Sequence, residues 1–558
     1  MVGTVKQPMT DYEQQRLENI KKNQSILSSL AIPAKISFRS EIVKDRLNSD
    51  SSSTPSRKRK NSSASSKFYI PPKRHATRAS VKSGQVDLSL ALVEGEDPLL
   101  LKPVEPFVKN ELERDRHLDR SLVAHNFSSR NGDRDLSYSS LFTNLKTTGS
   151  SDLVDLYDQS SKEPKDDQLR SMLDGLKLRS ACKVCPSRVY SIAFHSDRSK
   201  SLIFIGEKSG GVSVWDPLAR STEEEEGSDT KDILPQKEKV FSDEDEEEIL
   251  EGKSYYIQAH PSSVSAIQTH PSNPHLIFTS SYDRSVRQLN FETQSSSEIL
   301  DGDQLGSDGD QNLFSAFEFI NEGREIWCSD TNGGLSHYDL RLPKTSARRW
   351  NVSYKKIGCV NIRLPHSDHK LAVTAGLNRE MRIWDLSRLM GLSTDAEVEE
   401  IERVASLSTY THRLACSSAY FNHTGRKIVS TSYDDLIRVW DLNSETVESW
   451  EDSKPTKELS ELDDTIDPAY YAVHDNKTGR WVTPMKARWC PNPLFPTHFT
   501  VGNMKQKLDV YSDKARLIKQ LADPSVLKSV PAVTNQHPTS SNLQIVGGVA
   551  GGKAYFWM

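Results

Sequence analysis

Short runs of apolar and β-branched residues recur from about residue 176 onward, each closing on an aromatic or apolar residue followed by a polar one. The endings are VSVWD at Asp216, VRQLN at Asn290, LSHYD at Asp339, MRIWD at Asp385, IRVWD at Asp441, LDVYS at Ser512 and AYFWM at Met558. Successive endings lie 74, 49, 46, 56, 71 and 46 residues apart. Runs this short, rich in β-branched and aromatic residues and bounded by turn residues, predict strands rather than helices. A recurring unit of small sheets hides its strand edges by closing radially. The seven endings therefore predict an all-β, seven-bladed β-propeller over residues 166–558, with the longer intervals absorbed by loop insertions. The last ending is the third strand of its repeat, so LKLRSACKV, Leu176–Val184, is expected to supply the missing outer strand. That also makes Cys182 a strand residue.

The shortest intervals sit near the WD40 period of about 40–45 residues. The fullest repeat is THRLACSSAYFNHTGRKIVSTSYDDLIRVWD. It places His412, Ser430, Asp434 and Trp440 where WD40 repeats build a hydrogen-bonded tetrad. TSSYDRSVRQLN keeps Asp283 but has Leu289 in place of the usual Trp, so that repeat is expected to be degenerate.

Ahead of the repeats the pattern dissolves. Residues 31–165 are rich in Ser, Lys, Asp and Pro with little apolar periodicity, and are expected to remain a disordered arm. Residues 1–30 differ: Thr10 and Glu13 have capping-box spacing, and Leu17, Ile20, Leu27 and Leu30 share one face of a predicted amphipathic helix. Charge follows the same division. Residues 1–90 carry 17 Lys+Arg against 7 Asp+Glu, a local +10 in a chain of net −5. Residues 217–252 carry 14 acidic against 4 basic side chains, a local −10. Two basic clusters in the arm, Arg57-Lys58-Arg59-Lys60 and Lys73-Arg74, read as a bipartite nuclear import signal or a nonspecific nucleic-acid contact, and a nuclear protein is the favoured expectation.

Several classes are not expected. The first residues lack the apolar core of a signal peptide, and no run of 18 apolar residues suggests a membrane span. Six scattered Cys in a long chain argue for a reducing compartment rather than a disulfide framework. Cys182 and Cys185 form a C-x-x-C with no second Cys or His pair beside it, so no metal site is expected. No zincin, P-loop or nucleophile-elbow motif appears. GGVAGGK lacks the Ser/Thr and helix of a P-loop and reads as a β-turn. Neither an enzyme nor a cofactor is expected.

The propeller topology assigns an address to each charge. Each repeat runs as strands d, a, b and c, and the d–a and b–c connections open on one rim, here called the top. On it fall Arg188, Lys208, Arg284, Lys355, Lys356, Arg379, Arg413, Arg480, Trp481, Lys505 and Lys553. The acidic insertion 217–252 is a c–d connection and projects from the opposite rim. A basic rim attracts phosphates, and an exposed Trp beside an Arg can stack on bases or wedge between them. In KTGRWVTPMKARWC, Lys477 to Trp481 is expected to be exposed loop and Thr483 onward an inner strand, with Trp489 in the core. Lys486 faces either the channel or a neighbouring blade.

YEQQRLENIKKNQSILSSL, SYDRSVRQLN, GLNREMRIWDL and TGRWVTPMKARW together resemble the fungal changed-mutation-rate family of DNA damage-binding WD-repeat proteins. More distantly, the propeller is similar to the small WD-repeat subunit of the UV-damaged-DNA-binding complex, which binds DNA on one face and inserts a loop wedge at the lesion. The resemblance implies DNA-contacting roles for Arg188, Lys208, Lys355 and Lys356, and a wedge position for Gly479, Arg480 and Trp481, although the wedge tripeptide differs. It also implies a candidate ubiquitin-ligase adaptor contact at Tyr338, Asp339 and Arg341, where Tyr stands in place of the Trp of a W-D-x-R motif.

These observations favour a nuclear, non-enzymatic protein that binds double-stranded DNA through the top rim, with a preference for damaged (UV-type) DNA. The alternatives are an interaction scaffold in chromatin or protein quality control that binds acidic protein segments, or a substrate receptor of a ubiquitin ligase.

Overall fold

The computed structural model describes residues 115, 117–126, 140–147, 165–219, 249–306, 311–363, 370–443, 445, 447, 450 and 465–558. The expected N-terminal helix, the import clusters at Arg57–Lys60 and Lys73–Arg74, and most of the acidic insertion lie outside the described residues.

Seven antiparallel sheets succeed one another along the chain, each built on four strands in the order a, b, c, d, with a fifth added at the outer edge of two of them. Strand c carries the recurring ending in every case: Gly211–Asp216, Ser285–Asn290, Gly334–Asp339, Glu380–Asp385, Leu436–Asp441, Lys507–Ser512 and Lys553–Trp557 for blades 1 to 7. Blades pack face to face, so both faces of a strand are covered. Ile437, Val439 and Trp440 of blade 5 are all buried for this reason. Trp215, Trp327, Trp350, Trp384, Trp440 and Trp557 are essentially inaccessible, and truncating any of them to Ala is worth roughly 3–5 kcal/mol.

The ring closes as the pattern predicts. Leu178–Lys183 pairs antiparallel with Lys553–Trp557 as the outer strand of blade 7, with Ala181 opposite Tyr555 and Cys182 opposite Ala554. The helix Lys165–Asp174 leads into this strand and buries Leu169 and Leu173 against blades 6 and 7.

Part of the arm expected to lack structure is instead a strap on blades 1 and 2. Arg120–Ser121 adds a fifth strand to the outer edge of blade 2, and Ala124–Asn126 adds one to blade 1. The strap docks because the edges supply what its own sequence lacks. Leu122, Ala124, Phe142 and Leu145 are buried with Phe204 and Phe291, and Phe142 stacks on Phe291 at 4.1 Å between ring centres. Arg287 donates to the Leu118 carbonyl (3.0 Å), and Lys200 to the carbonyls of Leu141 and Thr143 (both 2.9 Å).

Two local expectations are corrected. In blade 5 the His412–Ser430 bond forms (2.8 Å), but Asp434 turns to Arg438, which binds it in two places (3.1 and 2.8 Å), and the Trp440 indole donates to the Ile466 carbonyl. A buried guanidinium four residues along the chain outcompetes a neutral imidazole for the carboxylate. The repeat with Leu289 keeps the tighter relay. His260 bonds Asp283 and Thr279, both at 2.8 Å, because Arg287 is turned toward Ser296 and the strap. In blade 6, the regular part of strand a is only Arg488–Trp489. Pro484 lacks an N–H donor, so residues 483–487 use side-chain bonds to blades 5 and 1 instead.

Candidate nucleic-acid interface

The seven b–c turns share one backbone device. The residue just before strand c has positive φ in each: Gly210, Arg284, Gly333, Arg379, Asp435, Gln506 and Gly552. In six of them, among the described residues, its carbonyl accepts from an N–H that follows strand d: His260, Gly302, Val352, His412, His474 and Val184 donate in turn. This bond ties each b–c turn to the adjoining d–a connection and so builds a continuous top rim. Three of the seven positions are Gly, as the left-handed conformation favours. Arg at two of them costs about 1 kcal/mol each in backbone strain. Arg379 (φ 72°) is exposed, with no side-chain partner among the described residues.

The rim gathers the sequence-selected cations in groups. The Lys208 N–H donates to the Arg188 carbonyl (2.9 Å), and the Val184 and Cys185 amides to Gly552, so Arg188, Lys208 and Lys553 surround the closure point. Arg188 lies 6.0 Å from the Tyr190 ring centre. Lys355, Lys356, Arg379 and Arg413 form a second group. Leu377 donates to the Lys356 carbonyl, and His412, beside Arg413, donates to the Arg379 carbonyl. The Lys356 amine sits over the Tyr282 ring and donates to its hydroxyl (2.8 Å). Lys505 projects from the b–c turn of blade 6.

The loop of residues 474–487 is held at both ends and free at its tip. Its first part leans on the b–c turn of blade 5: His474 donates to the Asp435 carbonyl, Asn476 to the Ser432 carbonyl (3.0 Å), and Lys477 pairs with Asp435. Its second part reaches the inner strands. Thr483 donates to the Val189 carbonyl of blade 1 (2.7 Å), and Ser417 of blade 5 to the Met485 carbonyl (2.9 Å). Pro484 lines the central channel, so the tip stands near the channel mouth. There Gly479 takes φ +58° with open space around it. Arg480 is exposed and lies 5.4 Å from the Trp481 ring centre, and Trp481 is 71% exposed. Trp489, as expected, is core: it is 6% exposed, and its indole donates to the Tyr420 carbonyl.

The rim is not uniformly basic, a feature the sequence reading missed. The helix Val398–Ala405 brings exposed Glu397, Glu399 and Glu400 to the outer edge beside Tyr354, whose hydroxyl donates to Glu399 (2.9 Å). Exposed apolar side chains, Tyr354, Leu377 and Leu414, also stand on this side.

The other predicted residues sit elsewhere. Tyr338, Asp339 and Arg341 lie at the c–d turn of blade 3, on the opposite rim. There Arg341 binds Asp339 through both oxygens (2.9 and 2.6 Å), and those bonds hold the carboxyl down at about 2. The Tyr338 hydroxyl donates to the Leu342 carbonyl (2.7 Å). The guanidinium remains 60% exposed. The described ends of the acidic insertion also leave from this rim, between Asp216 and Lys253.

Two arrangements bear on other chemistry. Cys182 and Cys185 are buried, and burial pushes the Cys182 thiol up to about 12, so they serve as apolar core rather than thiolates. His117, Glu298 and Asp301 could in principle share a cation, but Lys344 already lies 3.9 Å from Glu298. The group ties the strap to blade 2.

The family model of the WD domain, G-beta repeat, matches residues 252–289 and 404–441, the repeats of blades 2 and 5. The chain is 31% identical over 453 residues to the DNA damage-binding protein CMR1 of Cryptococcus neoformans, covering 72% of this chain and 73% of that protein. It is 27% identical to the proteins of the same name from Mycosarcoma maydis (98% of this chain, 99% of the relative) and Neurospora crassa (99% and 98%). On this similarity, and with the seven-bladed repeat fold that carries it, the chain belongs to the fungal CMR1 family of WD-repeat proteins.

Proposed function

We propose that this protein is a non-enzymatic, nuclear DNA-binding propeller that engages duplex DNA across its top rim and prefers UV-damaged sites. The observation that carries the reading is the loop of residues 474–487, whose anchored base presents Arg480 and a largely exposed Trp481 amid the rim cations. The relatives' shared name, DNA damage-binding protein, supports the same class of ligand. Phosphate contacts from Arg188, Lys208, Lys355, Lys356, Arg379, Arg413, Lys505 and Lys553 would supply affinity without sequence preference. Discrimination would come from the wedge. A lesion weakens stacking, so inserting an indole there costs less than at an intact step.

Trp481→Ala tests this. In a mobility-shift titration, the ratio of affinities for irradiated over intact duplex is expected to fall about fivefold or more, equivalent to ~1 kcal/mol of lost stacking, with little change on intact duplex. An unaltered ratio would count against the wedge.

Tyr354, Leu377 and Leu414 favour a second reading, in which the blade 4 side of the rim takes a protein partner. A chromatin protein docked there would compete with DNA only if the two footprints overlap. An adaptor contact through Arg341 would use the opposite rim and is compatible with either reading.

A further inference from the structure

The central channel carries charges that neither the rim nor the core explains. The inner strands line it, and it encloses about 270 Å³. Blade 6 contributes Lys486 and Arg488 to its wall, and blade 3 contributes Glu318. Two of these three are already satisfied by each other and by their neighbours. Glu318 accepts from the Asn361 amide (3.1 Å) and faces the positive charge of Arg488. The Arg488 guanidinium also lies 3.8 Å from the centre of the Tyr420 ring.

Lys486 is different. No described residue makes a hydrogen bond or ion pair with its amine. Of the groups that act on its charge, Cys359 favours it, while Arg488 and Lys356, both cations, oppose it. The residue is only partly accessible and lines the channel. Burial, and the two cations against the pull of Cys359, draw its amine down to about 8. An ammonium in so enclosed a place, with like charges on either side and no carboxylate of its own, is expensive to keep unless something else supplies the negative charge. A hydrophobic side chain of similar length would fill the same space without that cost.

We propose that the channel holds a small free oxyanion of the phosphate class against the Lys486 amine, with Arg488 below and Lys356 at the mouth completing its electrostatic field. Lys486 would make the direct contact, and the positive field of Arg488 and Lys356, each held by its own partner, suits a multiply charged tetrahedral group better than a single carboxylate. The enclosed volume suits phosphate, pyrophosphate or the head of a small phosphate ester. A volume of about 270 Å³ is far too small for a duplex. This site does not rest on the DNA-binding reading and would stand if the rim bound something else.

The test is a calorimetric titration of the full chain with inorganic pyrophosphate, alongside a short duplex. Pyrophosphate is expected to bind saturably to the native chain and at least about tenfold more weakly to Lys486→Met, with duplex affinity unchanged. Lys208→Glu, on the rim, should titrate with pyrophosphate like the native chain. No saturable binding, or equal binding to Lys486→Met, would overturn the proposal, the second because the anion would then be screening surface charge. A second measurement needs no variant. Pyrophosphate should protect Lys486 of the native chain from an amine-acylating reagent, read by peptide mass spectrometry, and unchanged labelling of Lys486 would also overturn the proposal.

Discussion

Arg379 sits where the backbone would prefer glycine, and its side chain bonds to nothing described. Its structural duty is performed by its carbonyl, which accepts from His412, and a glycine carbonyl would do as well. Glycine would relieve the strained φ but lose more freedom on folding, and the two effects nearly cancel or leave a small gain. Arg379→Gly is therefore expected to leave stability unchanged or raise it by up to about 1 kcal/mol, measured by urea denaturation, while weakening DNA binding severalfold. A clear loss of stability would mean that the guanidinium supports the fold, and unchanged DNA affinity would remove Arg379 from the interface. The corresponding Arg284 is less clean as a probe, because it also approaches Asp303 (3.6 Å). Single residues also show where a repeat signature misleads. His412, Ser430, Asp434 and Trp440 stand at the expected positions, yet Arg438 diverts the carboxylate. The repeat lacking Trp, by contrast, keeps its His260–Asp283–Thr279 relay.

The elements differ in how much of them the sequence disclosed. Strand c was legible in all seven blades because burial between neighbouring sheets requires an apolar run and the turn after it requires a polar residue. Leu178–Lys183 was legible as the closing strand for the same reason. The strap was not. Its buried residues are Leu122, Ala124, Phe142 and Leu145, four apolar side chains spread over a polar stretch, and no periodic pattern arises from so few. Its partners, the outer edges of blades 1 and 2, exist only once the propeller has formed. The direction of Lys486 was likewise open until Pro484 shortened strand a of blade 6 and the channel wall was in place. If the strap docks as one unit, loosening one anchor should free the rest. Phe142→Ala is expected to cost about 3 kcal/mol of local stability, seen as on the order of a hundredfold less hydrogen-exchange protection at residues 120–126 with the inner strands unchanged. Undiminished protection there would show that the two parts of the strap dock separately.

Across the whole molecule, chain order alone fixes which charges share a rim. Every d–a and b–c connection opens on one side, so the cations from Arg188 to Lys553 are gathered there despite lying 365 residues apart in sequence. The c–d connections open on the other side, which holds the described ends of the acidic insertion and Arg341. The polarity is incomplete, since Glu397, Glu399 and Glu400 interrupt the top rim at the outer edge of blade 4. A duplex on this face would therefore lie over the channel mouth and the closure point rather than over that edge. What the sequence could supply was the address of each connection. It could not supply the anchoring of the 474–487 loop by Asp435 and Val189, which depends on blades far apart in the chain.

The most direct measurement is the salt dependence of binding to irradiated duplex by the full chain, compared between charge reversals on the two rims. Each variant keeps the same basic N-terminal arm, so its contribution cancels. For Lys356→Glu with Arg480→Glu, affinity at low salt is expected to fall on the order of a hundredfold, and the slope of log K against log salt to flatten by about 2. Arg341→Glu, on the opposite rim, should leave both quantities at their native values. Equal effects from the two rims, or an unchanged slope in the top-rim variant, would contradict the assignment of DNA to the top face.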